Sequence, residues 1–433
     1  MLQKHGTVLA TAALLLVGNA ASAAPDEIYT ARTVITLPGT DKVTSFDISF
    51  VDPVIGLYFL SDRTNKAVEE IDTTSNTVFA QLTATPPFQG VPAIACPSGN
   101  ANDCAGPNGV VTVNHREAWA GDGPSVSGTA FLPNSSTVKV IDLFTQKTTH
   151  VIPTLGNFRA DELCFDPRDQ LVFVANDAET PFPYISVIST VNYSVLQQIT
   201  MNGTVPFGST IAAPKATNGI EQCKWDLRTG KIYVNIPEVN GPGNDTQPGA
   251  VVEITPGTPA VIDAVWSVPL GKCAGPQGMA IGPDHQILLG CNDPNGTVPS
   301  TVIIDDRTGK VLETVAFEDG SDEVWYNEGN GSYFLARSGG ANPQKLGIID
   351  VDADPGPTDQ DVATGLPNTA ATPHGTAHSV AADPIFNQIY VPIPSTAGLA
   401  VCSTAGGSDS QGCIAIFTAR GPDDSPIPLI SKK

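Results

Sequence analysis

Two stretches, RADELCFDPRDQLVFVAND at 159–177 and GSDEVWYNEGNGSYFLARS at 320–338, set an Asp-Glu pair directly before a β-type run, a tight polar turn and a second β-type run. The same position is acidic in FDISFVDP (Asp47) and IEQCKWDL (Glu221), and it is His378 in AHSVAADP and Gln277 in PQGMAIGP. Four carboxyls and an imidazole in one structural position are residue types suited to holding a cation or to moving protons. Converging on one point, each like-charge pair costs about 4 kcal/mol at about 4 Å and an effective dielectric near 20. A bound cation or raised pKa values would relieve that repulsion. The expected metal ligands are Asp47, Asp161, Glu221, Asp322 and His378, with Gln277 beside them. A carboxylate set accepts calcium, and His378 as a direct ligand tilts the choice toward manganese, iron or zinc.

The elements that must position these residues are strands. Short β-branched runs are separated by Gly, Pro, Asn and Asp, and no long helical periodicity occurs. One unit repeats: strand A after the polar residue, a tight turn, strand B rich in Tyr, Phe and Val, a variable loop, strand C ending in "ID", and strand D of the "KVxxTV" type. C strands are expected at 67–72, 137–142, 184–190, 250–255, 301–306, 346–352 and 413–419, and D strands follow the first six. The missing seventh D strand is supplied by ARTVITLPG at 31–39, so the sequence predicts an all-β, seven-bladed propeller of four-stranded blades whose N-terminal strand closes the last blade. Blade 2 has a shorter A–B turn, and its ring residue is Asn108 or Gly109.

Strand A is innermost in such a fold, and its first residue lies near one mouth of the axial channel. The long insertions, at 83–108, 122–136, 202–219, 236–249, 366–377 and 393–412, are nearly all D–A or B–C connections and emerge on that same face. Elaboration on one side of a rigid scaffold points to function there. The B strands end on that face with Asp62, Asp122, Asn176, Asn292 and Arg337, which form an expected second ring that binds substrate together with Gln277. His374, in the loop ahead of His378, is the mobile acid–base candidate; the expected catalytic set is His374, His378, Glu162 and Glu323, the two glutamates pointing away by strand alternation as outer partners of the ring. His115, His150 and His285 fall in turns of the opposite face or an outer strand and read as solvent-exposed, so a four-histidine iron site lacks its residues.

Composition narrows the partners. The formal net charge of −22 repels nucleic acid and anionic lipid, whose binding needs a basic surface. Lys4 and His5, the apolar run at 8–18 and ASA at 21–23 read as a secretory leader, leaving 24–433 as one domain. No other segment is apolar enough to span a bilayer, and a secreted or periplasmic, monomeric protein is expected. The even set of eight cysteines, without CxxC, favours disulfides. Neighbourhood suggests Cys96–Cys104, Cys164–Cys223, Cys273–Cys291 and Cys402–Cys413. Asp350, Asp352, Asp354 and Asp361 have a calcium-loop spacing, but Pro355 stands where that loop needs glycine, and a plain acidic turn fits better. Sequons at Asn134, Asn192, Asn202, Asn244, Asn295 and Asn330 matter only in a eukaryotic secretory pathway.

VIDLFTQKTTHVI (140–152), VEEIDTTSNTVFAQL (68–82) and VIIDDRTGKVLETV (302–315) resemble the YVTN/YncE-type repeat of seven-bladed propellers, a group distantly similar to SMP-30/gluconolactonase-like propellers. The resemblance spans nearly the whole chain after the leader, and the G-H…W-D signature of WD40 blades is absent. It implies ester or lactone hydrolysis of a small molecule on the metal, with a lyase possible on the same site. His378 departs from the Glu/Asn/Asp ligand set of the gluconolactonase-like group. A non-catalytic YVTN-type propeller, presenting its looped face to a partner or glycan, is the alternative.

Overall fold

Each repeat becomes one antiparallel sheet because its turn residues suit the turns. The A–B turn of every blade holds a residue with a left-handed backbone within two positions of strand B, at Gly56, His115, Gln170, Gly230, His285, Gly331 and Asn387. Asp52, Asp166, Asp226 and Asp383, at the far ends of the A strands, accept a hydrogen bond from the backbone N–H two residues on, at 2.8–3.1 Å. The computed structural model describes residues 28–39, 41–292, 301–315, 320–338, 343–351 and 358–420. The expected leader, Asn295, Asp352 and Asp354 lie outside them.

Seven four-stranded sheets form the ring, each in the order A-B-C-D. The A strands are Ser49–Asp52, Val110–Val113, Leu163–Asp166, Cys223–Asp226, Pro276–Ile281, Ser321–Asn327 and Ala381–Asp383. In the last blade Ile28–Ile35 pairs antiparallel with Cys413–Arg420, so the N-terminal strand completes that blade as the sequence predicts. The C and D strands shift register at the same point in five blades, for example at Glu70/Ile71 and Val140/Ile141, which records the repeat in the backbone. B and C strands are buried on both faces, whereas D strands such as Thr77–Thr83 and Lys147–Pro153 alternate with solvent. The core therefore lies between blades: Phe173, Val187, Ile220, Val234 and Val252 pack in one layer joining blades 3 and 4.

Two short helices, Ala101–Cys104 and Val401–Thr404, and a two-stranded hairpin, Val126–Ser127 with Ala130–Phe131, lie in the long loops. All four expected disulfides are present, and Cys164–Cys223 ties the A strands of adjacent blades. No helix among the described residues is long and apolar enough to cross a membrane.

Candidate functional site

The ring position is fixed by backbone pairing. The N–H groups of Asp47, Asn108, Asp161 and Glu221 each donate to the strand-B carbonyls of Ser61, Gly121, Ala175 and Asn235, at 2.9, 2.9, 2.8 and 2.9 Å. Blade 2 therefore contributes Asn108. Gly109 follows it at a point where a Cβ would stand 2.3 Å from the Asp161 carbonyl oxygen, so only glycine fits.

The ring side chains meet at the looped mouth in a cavity of about 480 Å³. Asp47, Glu221, Gln277, Asp322 and His378 line it, and Asp161 sits behind them. Two arginines that the ring comparison did not include stand among these acids. The buried Arg63 pairs Nη2 with Asp47 at 2.5 Å and donates Nε and Nη2 to Oδ1 of Asn108 at 3.0 and 2.8 Å. Arg159 pairs with Asp161 at 2.6 Å and Asp177 at 2.8 Å, and its Nη1 lies 3.9 Å from Asp103. The signal was in the sequence: Arg63 follows the acid that ends strand B, and Arg159 precedes Asp161 by two residues, in a chain with half as many basic as acidic residues.

Burial opposes charge throughout, and the partners decide where each group ends. Asp47 is held well below the usual carboxylate range, because Arg63, His378 and Arg159 outweigh its burial. Burial drives Asp161 well above it despite Arg159, with Asp47 and Asp177 adding to the rise. Glu221 rises well above its ordinary value through burial and then Asp177, Asp322 and Asp161. Asp322 also rises through burial, opposed by His378. Burial lowers His378, but Asp47 at 3.6 Å and nearby Asp322 raise it above its ordinary value. Its Nδ1 lies 3.0 Å from both the carbonyl and the hydroxyl of Thr376, and the ring stacks on Phe46 at 4.9 Å. Glu221 and Asp322 have neither a hydrogen bond nor an ion pair from their carboxyls among the described residues. This arrangement can accept donors or positive charge from a ligand, and it holds a proton donor in His378.

The expected metal set meets this geometry with guanidinium groups in its midst. Among the described residues no three His, Cys, Asp or Glu side chains are grouped as metal ligands. Arg63 and Arg159 compensate Asp47 and Asp161, leaving two unpaired carboxyls, Glu221 and Asp322, at the cavity.

The remaining expected site residues separate. Of the second ring, Gln277 lines the cavity, Asn292 bonds to a loop of the neighbouring blade, and the others bond within their own blades. Asp62 accepts from the backbone and side chain of Asn65 at 3.0 and 2.6 Å. Asp122 pairs with Lys139 at 2.7 Å. Asn176 donates to Ser186 at 2.9 Å, Asn292 to Asp245 at 2.9 Å, and Arg337 pairs with Asp361. His374 lies outside the cavity, with Nδ1 at 3.1 Å from the Thr396 carbonyl. Glu162 and Glu323 point away from the ring as alternation requires, but they reach a different cavity at the other end of the channel and so do not partner His374 or His378. Burial raises both, Glu323 to about 8. His115 and His285 are surface groups paired with Asp52 and Asp306, each at 2.8 Å, and His150 stacks on Tyr193 at 3.6 Å; sequence position alone does not reveal these partners.

No family model matches the chain, and no curated protein matches it. Solved structures do. The chain is similar to the WD40 repeats of RRP9 (TM-score 0.58, 8% identity, covering 91% of this chain and 100% of that one). It is also similar to the Neurospora crassa Pan2 WD40 domain (TM-score 0.55, 10% identity, 93% and 99%). A chain of the mitotic checkpoint complex matches at a TM-score of 0.53 and 11% identity over 95% and 98%. At these identities the likeness shows the seven-bladed fold and nothing finer, and it does not show the YVTN-type or gluconolactonase-like assignment.

Proposed function

We propose that this is an exported propeller that binds a small, positively charged polar ligand in the cavity at the looped mouth of its axial channel. One observation carries the reading: Glu221 and Asp322 face that cavity without a partner while every neighbouring acid on the ring is matched by Arg63 or Arg159. Both carboxyls are half-buried and lack a protein donor, and an ammonium or a hydrated divalent cation supplies what is missing. Eight cysteines, all paired, suit an oxidising compartment.

The test is a thermal-shift and calorimetric titration of the purified chain with ethanolamine, tetramethylammonium, and the chlorides of calcium, manganese and zinc. At least one cation is expected to bind and, at 100 times its Kd, to stabilise the fold by about 2.7 kcal/mol. The Glu221→Gln/Asp322→Asn variant is expected to lose that binding while keeping its fold. Unchanged binding by the variant, or no cation bound by the parent, overturns the reading.

Catalysis is the second reading, favoured by His378 as a proton donor beside carboxyls of raised pKa in one concave site. Screening esters and lactones, with and without the metals above, distinguishes hydrolase or lyase turnover from binding alone.

A further inference from the structure

The other end of the axial channel, at the A–B turns, opens into a second cavity of about 520 Å³. Its walls are apolar, built from Phe50, Leu163, Phe165, Trp225 and the Cys164–Cys223 disulfide. An adjoining hollow shares Phe50 and Trp225 and adds Trp325. The turns around this mouth expose Val54, Leu227 and Ile385 by 70%, 78% and 63%, so access is across apolar surface. The volume lies within the range of about 300–1,000 Å³ typical of small-molecule sites.

Five ionisable groups line this apolar cup: Asp52 and His115, which pair with each other at 2.8 Å, and Glu162, Glu323 and Lys224. Glu323 is fully buried. Its Oε2 accepts from the Ser379 hydroxyl and, at 3.1 Å, from the Val380 N–H, but its Oε1 has no hydrogen-bond partner. The carboxyl of Glu162, also buried, accepts no hydrogen bond among the described residues. Lys224 does not satisfy either: its Nζ stands over the Trp325 ring, 5.1 Å from the centroid. Two carboxyls against one ammonium leave one carboxyl uncompensated, and the orphaned oxygen asks for a donor. A carboxylate ligand would meet two like charges to gain one opposite charge. A polyol would leave the aromatic walls unfilled.

We propose that this second mouth binds a hydrophobic monoamine, its aromatic or alkyl body against Phe50, Phe165 and Trp225 and its ammonium donating to Oε1 of Glu323 and to Glu162. The site is separate from the looped mouth and shares none of its lining residues.

The test follows the tryptophan fluorescence of the full chain, in which Trp225 and Trp325 border the site, during titration with phenethylamine, 2-phenylethanol and 3-phenylpropionate. Phenethylamine is expected to give saturable quenching and to bind at least about tenfold more tightly than the alcohol, with the carboxylate weaker still. Glu323→Gln and Glu162→Gln are each expected to weaken the amine about tenfold and leave the alcohol unchanged, whereas Asp322→Asn leaves the amine within about twofold. Should Glu323→Gln misfold, Glu162→Gln decides, because the Glu162 carboxyl supports no hydrogen bond in the fold. Equal affinity for amine and alcohol, tighter binding of the carboxylate, unchanged amine binding by the glutamine variants, or no quenching by any probe each overturns the proposal. Equal affinity would leave only an apolar cleft.

Discussion

Arg159 holds Asp161 and Asp177 in ion pairs at 2.6 and 2.8 Å with its own side chain 14% exposed, so its removal strands two buried carboxyls. Arg159→Met is expected to lower unfolding stability by about 3–5 kcal/mol at pH 7 in urea titrations. The loss should shrink as pH falls, since burial raises Asp161 and Asp177 and protonation removes the stranded charge. A second group of acids lies in blade 1. Burial, and then Asp62, pushes Glu69 up to about 8, burial pushes Glu70 up to about 7, and Asp62 rises to about 6. Each folded-state value exceeds the unfolded one, so the fold prefers the protonated form. Stability is highest below the unfolded values and falls by about 1.4 kcal/mol per pH unit per group as pH climbs through the interval up to the folded value. Glu69→Gln should therefore flatten the decline between pH 4.5 and 8, read from urea midpoints across that range. An unchanged slope would remove Glu69 from the account. The acidic ring itself was legible because the repeat aligns its members. Arg63 and Arg159 were legible only as scarce basic residues beside acids; they enter from the end of a strand and from a loop, where repeat position says nothing about where a long side chain reaches.

The strands were legible almost to the residue. Lys147–Pro153 and Ala67–Asp72 fall where expected, since period-two burial and left-handed turn residues leave one register per blade. The loops obeyed no such rule. Asp62, Asp122, Asn176 and Arg337 end their strands on the looped face, yet their side chains turn back to local partners. Strand position therefore foretold their face but not their direction, and the second ring dissolved. The disulfides were legible from neighbourhood, and one of them couples elements across blades. Cys164–Cys223 spans 59 residues and links two innermost strands on the wall of the second cavity. Replacing both with serine is expected to lower stability by about 2–5 kcal/mol and to weaken phenethylamine binding, since the wall loses its tether. Replacing Cys402 and Cys413, which close an 11-residue separation at the opposite face, should lower the thermal midpoint less and leave that binding unchanged. Calorimetric scans beside the fluorescence titration check both outcomes, and equal binding losses in the two variants would contradict the separation of the two mouths.

At the scale of the molecule, the ring is a closed object, and closure rests on one strand from the start of the chain. Cys413–Arg420 pairs on one side with Gln388–Ile393 and on the other with Ile28–Ile35. The first of these partners is continuous with its blade, and the strand's own start is tied by Cys402–Cys413. Ile28–Ile35 has no such tie, so its hold is hydrogen bonding and burial: Tyr29, Ile35 and Leu37 are 3–5% exposed. Burial of each contributes roughly 1.5–3 kcal/mol. Protein beginning at residue 38 is therefore expected to lose several kcal/mol relative to protein beginning at residue 28. It would also present Cys413–Arg420 as a bare edge beside Ile414, Ile416 and Phe417. A bare edge pairs with another copy of itself, so the shortened chain should elute as dimers or larger species in size-exclusion chromatography with light scattering, despite the −22 net charge that resists association. Adding a peptide of residues 28–37 in excess should restore the size distribution and much of the thermal midpoint, because the groove it left is already formed. A shortened chain with the same midpoint and size as the longer one would mean that the last blade holds with three strands, and that the ring does not depend on joining its ends.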